Sequence, residues 1–141
     1  MDKLYNCDSS APLDVKLALE ANFGGVNKEI LADFLSWLMK YMKFSSADCN
    51  YINQPEGQGN CVTLTNAWTF PLFDVRVCDP NYWNIQEPEE RSRILIHEWF
   101  HKYYISQDWE YNHSDKYKDL STLKQLINAD SFATLVYDIC K

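Results

Sequence analysis

Residues 94–111 read ILIHEWFHKYYISQDWEY, with two histidines flanking a glutamate inside an apolar run and an aspartate beyond it. On a helix, positions i and i+4 lie one turn apart on the same face, so His97 and His101 can direct their imidazoles at one ion. Glu98 is one position on, too far round to ligate but close enough to reach a water at that ion, which makes it the natural general base. The plainer alternative is that the three line a polar seam of a buried helix, each satisfied by hydrogen bonds. Ile94, Leu95, Ile96, Trp99 and Phe100 surround them, however, so ionisable groups here carry a desolvation cost that a bound dication would offset.

A catalytic zinc site takes three protein ligands and keeps one position open. The metzincin pattern HExxHxxGxxH needs glycine at position 104 and histidine at 107, where this chain has Tyr104 and Gln107. A glutamate from a later helix is also excluded, since none follows Glu110. Asp108, Glu110, His113 and the later aspartates remain open as third ligands.

Working outward, Pro88 and the acidic Glu87, Glu89 and Glu90 mark a helix start, and that helix should run to about Tyr104. In NKEILADFLSWLMKYMKF, Ile30, Leu31, Phe34, Leu35, Leu38, Tyr41 and Met42 recur at helical spacing, with Asn27 as N-cap. A shorter helix covers Leu13 to Asn22 and stops at Gly24-Gly25. SSADCNYINQPEGQGN reads as loop. Phe73, Val75 and Val77 alternate with polar neighbours, and CVTLTN lies shortly before, which predicts two short strands in a small antiparallel sheet. A last helix, from near Leu120 to Cys140, puts Leu123, Leu126, Ile127, Asp130, Ala133 and Tyr137 on one stripe. The fold class expected is α+β, dominated by helices, in one domain over residues 1–141.

With 141 residues, 46% hydrophobic and 15% aromatic, the chain can bury a substantial core. Its net charge of −7 and scattered basic residues argue against nucleic acid as a partner, and no apolar run is long enough to span a bilayer. The oligomeric state does not read from the sequence. Cys7, Cys49, Cys61, Cys78 and Cys140 form no CxxC pair, which disfavours a cysteine-built zinc site and fits an exported, disulfide-bearing protein whose signal or pro-segment is removed or lies outside this chain. Cys61 and Cys78 bracket the two predicted strands and would be linked if those strands are neighbours.

HEWFH, followed by SQDWEYN and later NADSFA, resembles the aspzincin metallopeptidases, the deuterolysin and peptidyl-Lys metalloendopeptidase family, whose pattern is HExxH, then GTxDxxYG, then an NAD-containing helix. VRVCDPNYW is also similar to the strand, cysteine and aromatic turn upstream of that family's active-site helix. The resemblance covers roughly the second half of the chain. It implies a zincin-like domain and a zinc endopeptidase acting on polypeptides. His97, His101 and Asp108 would hold Zn2+, Glu98 would be the base, and Tyr111 would stabilise the oxyanion. It also implies that Asp130 borders the pocket for the residue after the scissile bond, giving a partial preference for Lys or Arg. The alternative for Asp130 is a carboxylate that accepts a hydrogen bond from a ligand histidine. Ile105 and Ser106 stand where the family has Gly-Thr, and Asn112 replaces its closing glycine. The rival class is a noncatalytic binding module stabilised by zinc, in which His113 would close the site as a fourth ligand.

Overall fold

The computed structural model describes residues 13–45 and 51–140. Helix α1 (Leu13–Phe23) ends at the glycine pair, where a Cβ on Gly24 would lie 2.7 Å from the Glu20 carbonyl. Helix α2 (Lys28–Ser45) starts as its sequence predicts: the Asn27 side chain accepts the backbone N–H groups of Glu29 (2.9 Å) and Ile30 (3.2 Å). Those bonds satisfy two of the otherwise unpaired donors of the first turn.

The sheet departs from expectation in an instructive way. It has three strands in the order β1-β3-β2, with β1 being Tyr51–Pro55, β2 Ala67–Trp68 and β3 Val75–Asp79. The pairing of β1 with β3 is parallel and that of β2 with β3 antiparallel, so the sheet is mixed rather than antiparallel. Strand β1 lies inside the stretch that composition marks as loop. Its sequence YINQP has no apolar alternation because it is largely exposed, and its partner is more than twenty residues away. Residues 61–66, by contrast, form turns rather than a strand, with Leu64 in the left-handed region at φ 73°. The disulfide Cys61–Cys78 ties that turn region to β3, as its flanking positions suggested. Cys7 and Cys49 lie outside the described residues.

A short helix α3 (Asn81–Asn84) leads to α4 (Pro88–Tyr104), which carries the HExxH segment. The predicted last helix is two helices, α5 (Thr122–Ile127) and α6 (Ala129–Cys140). The break falls at Asn128, whose backbone is extended (φ −91°, ψ 118°).

The main core lies between α1, α2, α4 and α6. Phe132 of α6 is its hub. Its ring stacks on Phe100 of α4 at 4.4 Å and meets Phe23 of α1 at 4.9 Å. Burying such a side chain contributes on the order of 2–3 kcal/mol. The consequence for function is that α4 and α6 are held against each other, which brings residues from both to one place. A smaller cluster of Val77, Tyr82 and Ile94 packs the sheet under the other side of α4. No helix among the described residues is long and apolar enough to cross a membrane.

Candidate metal centre

His97 and His101 project from one face of α4, as their spacing dictates. Their Nε2 atoms are 3.0 Å apart, and Asp108 Oδ1 lies 3.0 Å from the first and 3.1 Å from the second. Among the described residues this is the group able to hold a metal ion. Asp108 reaches it because the chain reverses directly after α4. The reversal is made by Ile105, which caps the helix in the left-handed conformation (φ 58°, ψ 35°) with its N–H on the Phe100 carbonyl. This is the conformation that glycine adopts freely and a β-branched residue adopts at a cost of roughly 1–2 kcal/mol.

The far sides of both rings decide what the triangle can hold. His101 Nδ1 faces the Ser106 carbonyl at 3.0 Å and His97 Nδ1 faces Asp130 Oδ1 at 3.3 Å. Each of these acceptors requires the Nδ1 to carry the proton, which leaves both Nε2 atoms as bare lone pairs when the rings are neutral. Three acceptors then converge with no hydrogen between them, an arrangement that repels unless a cation or an added proton occupies it. Ligands about 2.0–2.1 Å from a zinc-sized ion in a tetrahedron are about 3.3 Å apart, so the observed triangle fits within a few tenths of an ångström. The donor set of two imidazoles and a carboxylate is one that divalent metal ions accept.

Without an ion, protons take that role. Burial opposes charging His97, but hydrogen bonds to Asp108 and Asp130 and the field of Glu98 outweigh it and raise its pKa to about 9. His101 moves the same way, against its burial, through Asp108 and the Ser106 carbonyl. Asp108 is held well below the usual carboxylate range, since its bonds to the two histidines overcome its desolvation.

Glu98 is buried beside the triangle and accepts a hydrogen bond from the Thr69 backbone. Burial pushes its pKa upward, against the pull of both histidines. Tyr111 stacks on His97 at 5.6 Å and 14°, with 43% of its surface exposed. Its hydroxyl stays protonated to about pH 12, because of partial burial and the surrounding carboxylates. Glu98, Tyr111 and the three candidate ligands all line one cleft of about 430 Å³, whose lining also includes Trp68, Phe70, Pro71 and Ile105.

Asp130 is elsewhere. It is 1% exposed and lies behind His97, away from the cleft lining. One oxygen meets His97 and the Arg93 guanidinium, and the other accepts the Asn112 N–H at 2.6 Å. Its charge is thus balanced by Arg93, which also chelates Glu90 through two bonds of 2.7 and 2.9 Å. The pocket-bordering placement of Asp130 gives way to the alternative of a carboxylate supporting a histidine. Ala133, one turn after the buried carboxylate's side of α6, is fully buried as well. His113 is exposed and stacks on Tyr111 at 5.7 Å, outside the triangle.

Sequence reasoning overlooked Arg93, Thr69 and Asn128. Arg93 carried a usable signal, being four residues before His97 and so on the same face of α4. Thr69 contributes through its backbone and left no mark in residue type. No protein-family model matches this chain, and no curated protein matches it.

Proposed function

We propose that this chain is a zinc-dependent endopeptidase of zincin-like, aspzincin type, exported from the cell, with His97, His101 and Asp108 as metal ligands and Glu98 as general base. The observation that carries the reading is the convergence of two imidazole nitrogens and a carboxylate oxygen at 3.0–3.1 Å beside a buried carboxylate in an open cleft. A protonated imidazole bonded to Asp108 would account for the triangle alone; the buried Glu98 beside it, opening on the same cleft, is what favours a metal site with a base. The disulfide suits an oxidising compartment.

His97, His101 and Asp108 would hold the zinc, which when bound would supply Lewis-acid activation. Glu98, buried beside the candidate ligands and lining the cleft, takes the proton from the attacking water and passes it to the leaving amine. Tyr111, protonated across the physiological range, donates its O–H to the oxyanion. Asp130 and the Ser106 carbonyl hold the two imidazoles in the tautomer that leaves Nε2 free. The substrate is a polypeptide laid in the cleft. Asp130 offers no free charge to a lysine, and the wall of Trp68, Phe70, Pro71 and Ile105 favours apolar side chains beside the scissile bond.

The test is metal analysis with a peptide-cleavage assay on the purified chain, after chelation, and after zinc is restored. About one zinc per chain, with cleavage lost on chelation and regained with zinc, supports the reading. Bound zinc without cleavage would favour the noncatalytic module instead.

A further inference from the structure

We propose that Asn128 is a positioning residue that builds the third metal ligand into the fold before any metal arrives; this rests on the metal-site reading above. The carboxylate of Asp108 comes from an irregular segment, and such a segment would pay ordering entropy at the moment of binding unless something fixed it first. Asn128 fixes it. The residue is 0% exposed, at the break between α5 and α6. Its side-chain oxygen accepts the N–H groups of Trp109 at 3.0 Å and Glu110 at 3.3 Å. Its amide nitrogen donates to the Glu110 carbonyl at 2.9 Å and to Ser131 Oγ at 3.0 Å.

The backbone around Asn128 makes the same grip. The Gln107 N–H donates to the Ile127 carbonyl at 2.7 Å, and the Ala129 N–H donates to the Gln107 carbonyl at 3.0 Å, a one-rung parallel bridge centred on Asn128. Asp108 is therefore enclosed by bonds on both sides, at 107 and at 109–110. This also explains why the last helix is broken. A continuous helix would spend the backbone groups of residues 127–129 on itself and turn the Asn128 side chain with its own turn, so the loop would lose every one of these partners. No apolar or hydroxyl residue could replace the side chain, because the site needs two acceptances and two donations from one planar group.

The test has two arms. In the metal-free wild-type chain, amide hydrogen exchange at Trp109 and Glu110 should already be slow, and zinc should slow it little further. In Asn128→Ala, exchange at those two amides should rise while amides in the middle of α4 stay protected, and zinc affinity of the folded chain should fall about 10- to 100-fold. Leu38→Ala, a core truncation in α2 remote from the loop, serves as the control for mere destabilisation and should leave zinc affinity within about twofold while lowering Tm. Fast exchange at Trp109 and Glu110 in the metal-free wild type would overturn the proposal, even if Asn128→Ala cannot be obtained folded. So would a folded Asn128→Ala with wild-type zinc affinity. A wild type that binds no zinc but shows the slow amides would remove the metal reading and leave the clamp standing.

Discussion

His97 Nδ1 and Asp130 Oδ1 meet at 3.3 Å across the contact between α4 and α6, so the packing of the two helices and the orientation of the first candidate ligand are one arrangement. The stacked pair Phe100–Phe132 lies in the same interface. Asp108 is attached differently, through the loop that follows α4, and this difference sets what each substitution should do.

Asp108→Ala removes one corner of the triangle while leaving both histidines oriented. Zinc affinity should fall by more than the roughly 10- to 100-fold that loss of an outer-shell partner costs. His113→Ala should leave affinity unchanged, since that ring stacks on Tyr111 outside the triangle. Isothermal titration of both variants checks the pair, and the reverse pattern would make His113 the third ligand.

Glu98→Gln keeps the shape of the buried side chain and removes its capacity to accept a proton. Zinc content should be retained, and peptide cleavage should drop by a factor of roughly 10²–10⁴. Tyr111→Phe should cost less, on the order of 10- to 1000-fold, as loss of one oxyanion donor does. Cleavage by Glu98→Gln at the wild-type rate would end its role as base.

What the sequence disclosed, and what it withheld, follows from the range of the interactions. Helices α1, α2 and α4 were legible because their signals are local: an N-cap at Asn27, a Pro-Glu start at Pro88, apolar residues at helical spacing. The His97–His101 pair was legible for the same reason. Strand β1 was not, since its partner among the described residues is the distant β3 and its exposed faces demand no alternation. The break at Asn128 was hidden too, because local propensity favours one helix and the bonds that overrule it come from residues 107–110. Asp130 illustrates the limit for site residues. Its place on an apolar stripe flagged a buried carboxylate correctly, but only the position of Arg93 shows that its charge is already balanced.

The metal-free and zinc-loaded chains should depend on pH with opposite signs. In the metal-free chain the folded pKa of His97, about 9, is raised above its ordinary value of 6.5. The folded state therefore binds the extra proton more tightly than the unfolded state. The resulting stability is present in full below about pH 6.5 and is lost as pH rises through about 9. Zinc needs the neutral ring, so its affinity should rise with pH over the same window, and binding near pH 7 should release protons. Thermal unfolding from pH 6 to 9.5, with chelator and with zinc, measures both slopes. Metal-free stability that increases across this range would contradict the proton-holding arrangement of His97.

Reduction of Cys61–Cys78 opens a loop with a sequence separation of 17. The chain-entropy model assigns such a closure about 3 kcal/mol, equivalent to a Tm shift of roughly 10 °C for a domain of this size. The loop carries Ala67, Trp68, Thr69, Phe70 and Pro71 of the cleft, so substrate affinity should weaken along with stability. Calorimetry after reduction, with thiols counted to establish that the bond is open, gives the answer. An unchanged Tm would show that packing of the sheet alone holds this region.

Substitution of Asp130 separates its two possible duties. As the partner of His97 and Arg93, it should matter to zinc and not to substrate choice. Asp130→Asn keeps the size and one acceptor oxygen but removes the charge, leaving Arg93 with only Glu90 as counter-ion and His97 with a weaker acceptor. Zinc affinity should fall about 10- to 100-fold, the range typical of such supporting carboxylates. Cleavage of a mixed peptide library by the wild type should show no enrichment of Lys or Arg next to the scissile bond, because among the described residues no uncommitted carboxylate lines the cleft: Glu98 and Asp108 serve the reaction and the metal. At saturating zinc, Asp130→Asn should give the same cleavage-site profile at a reduced rate. A wild-type preference for basic residues that disappears in Asp130→Asn with zinc content intact would return Asp130 to the substrate pocket, and would require the Arg93–Asp130 pair to open when substrate binds.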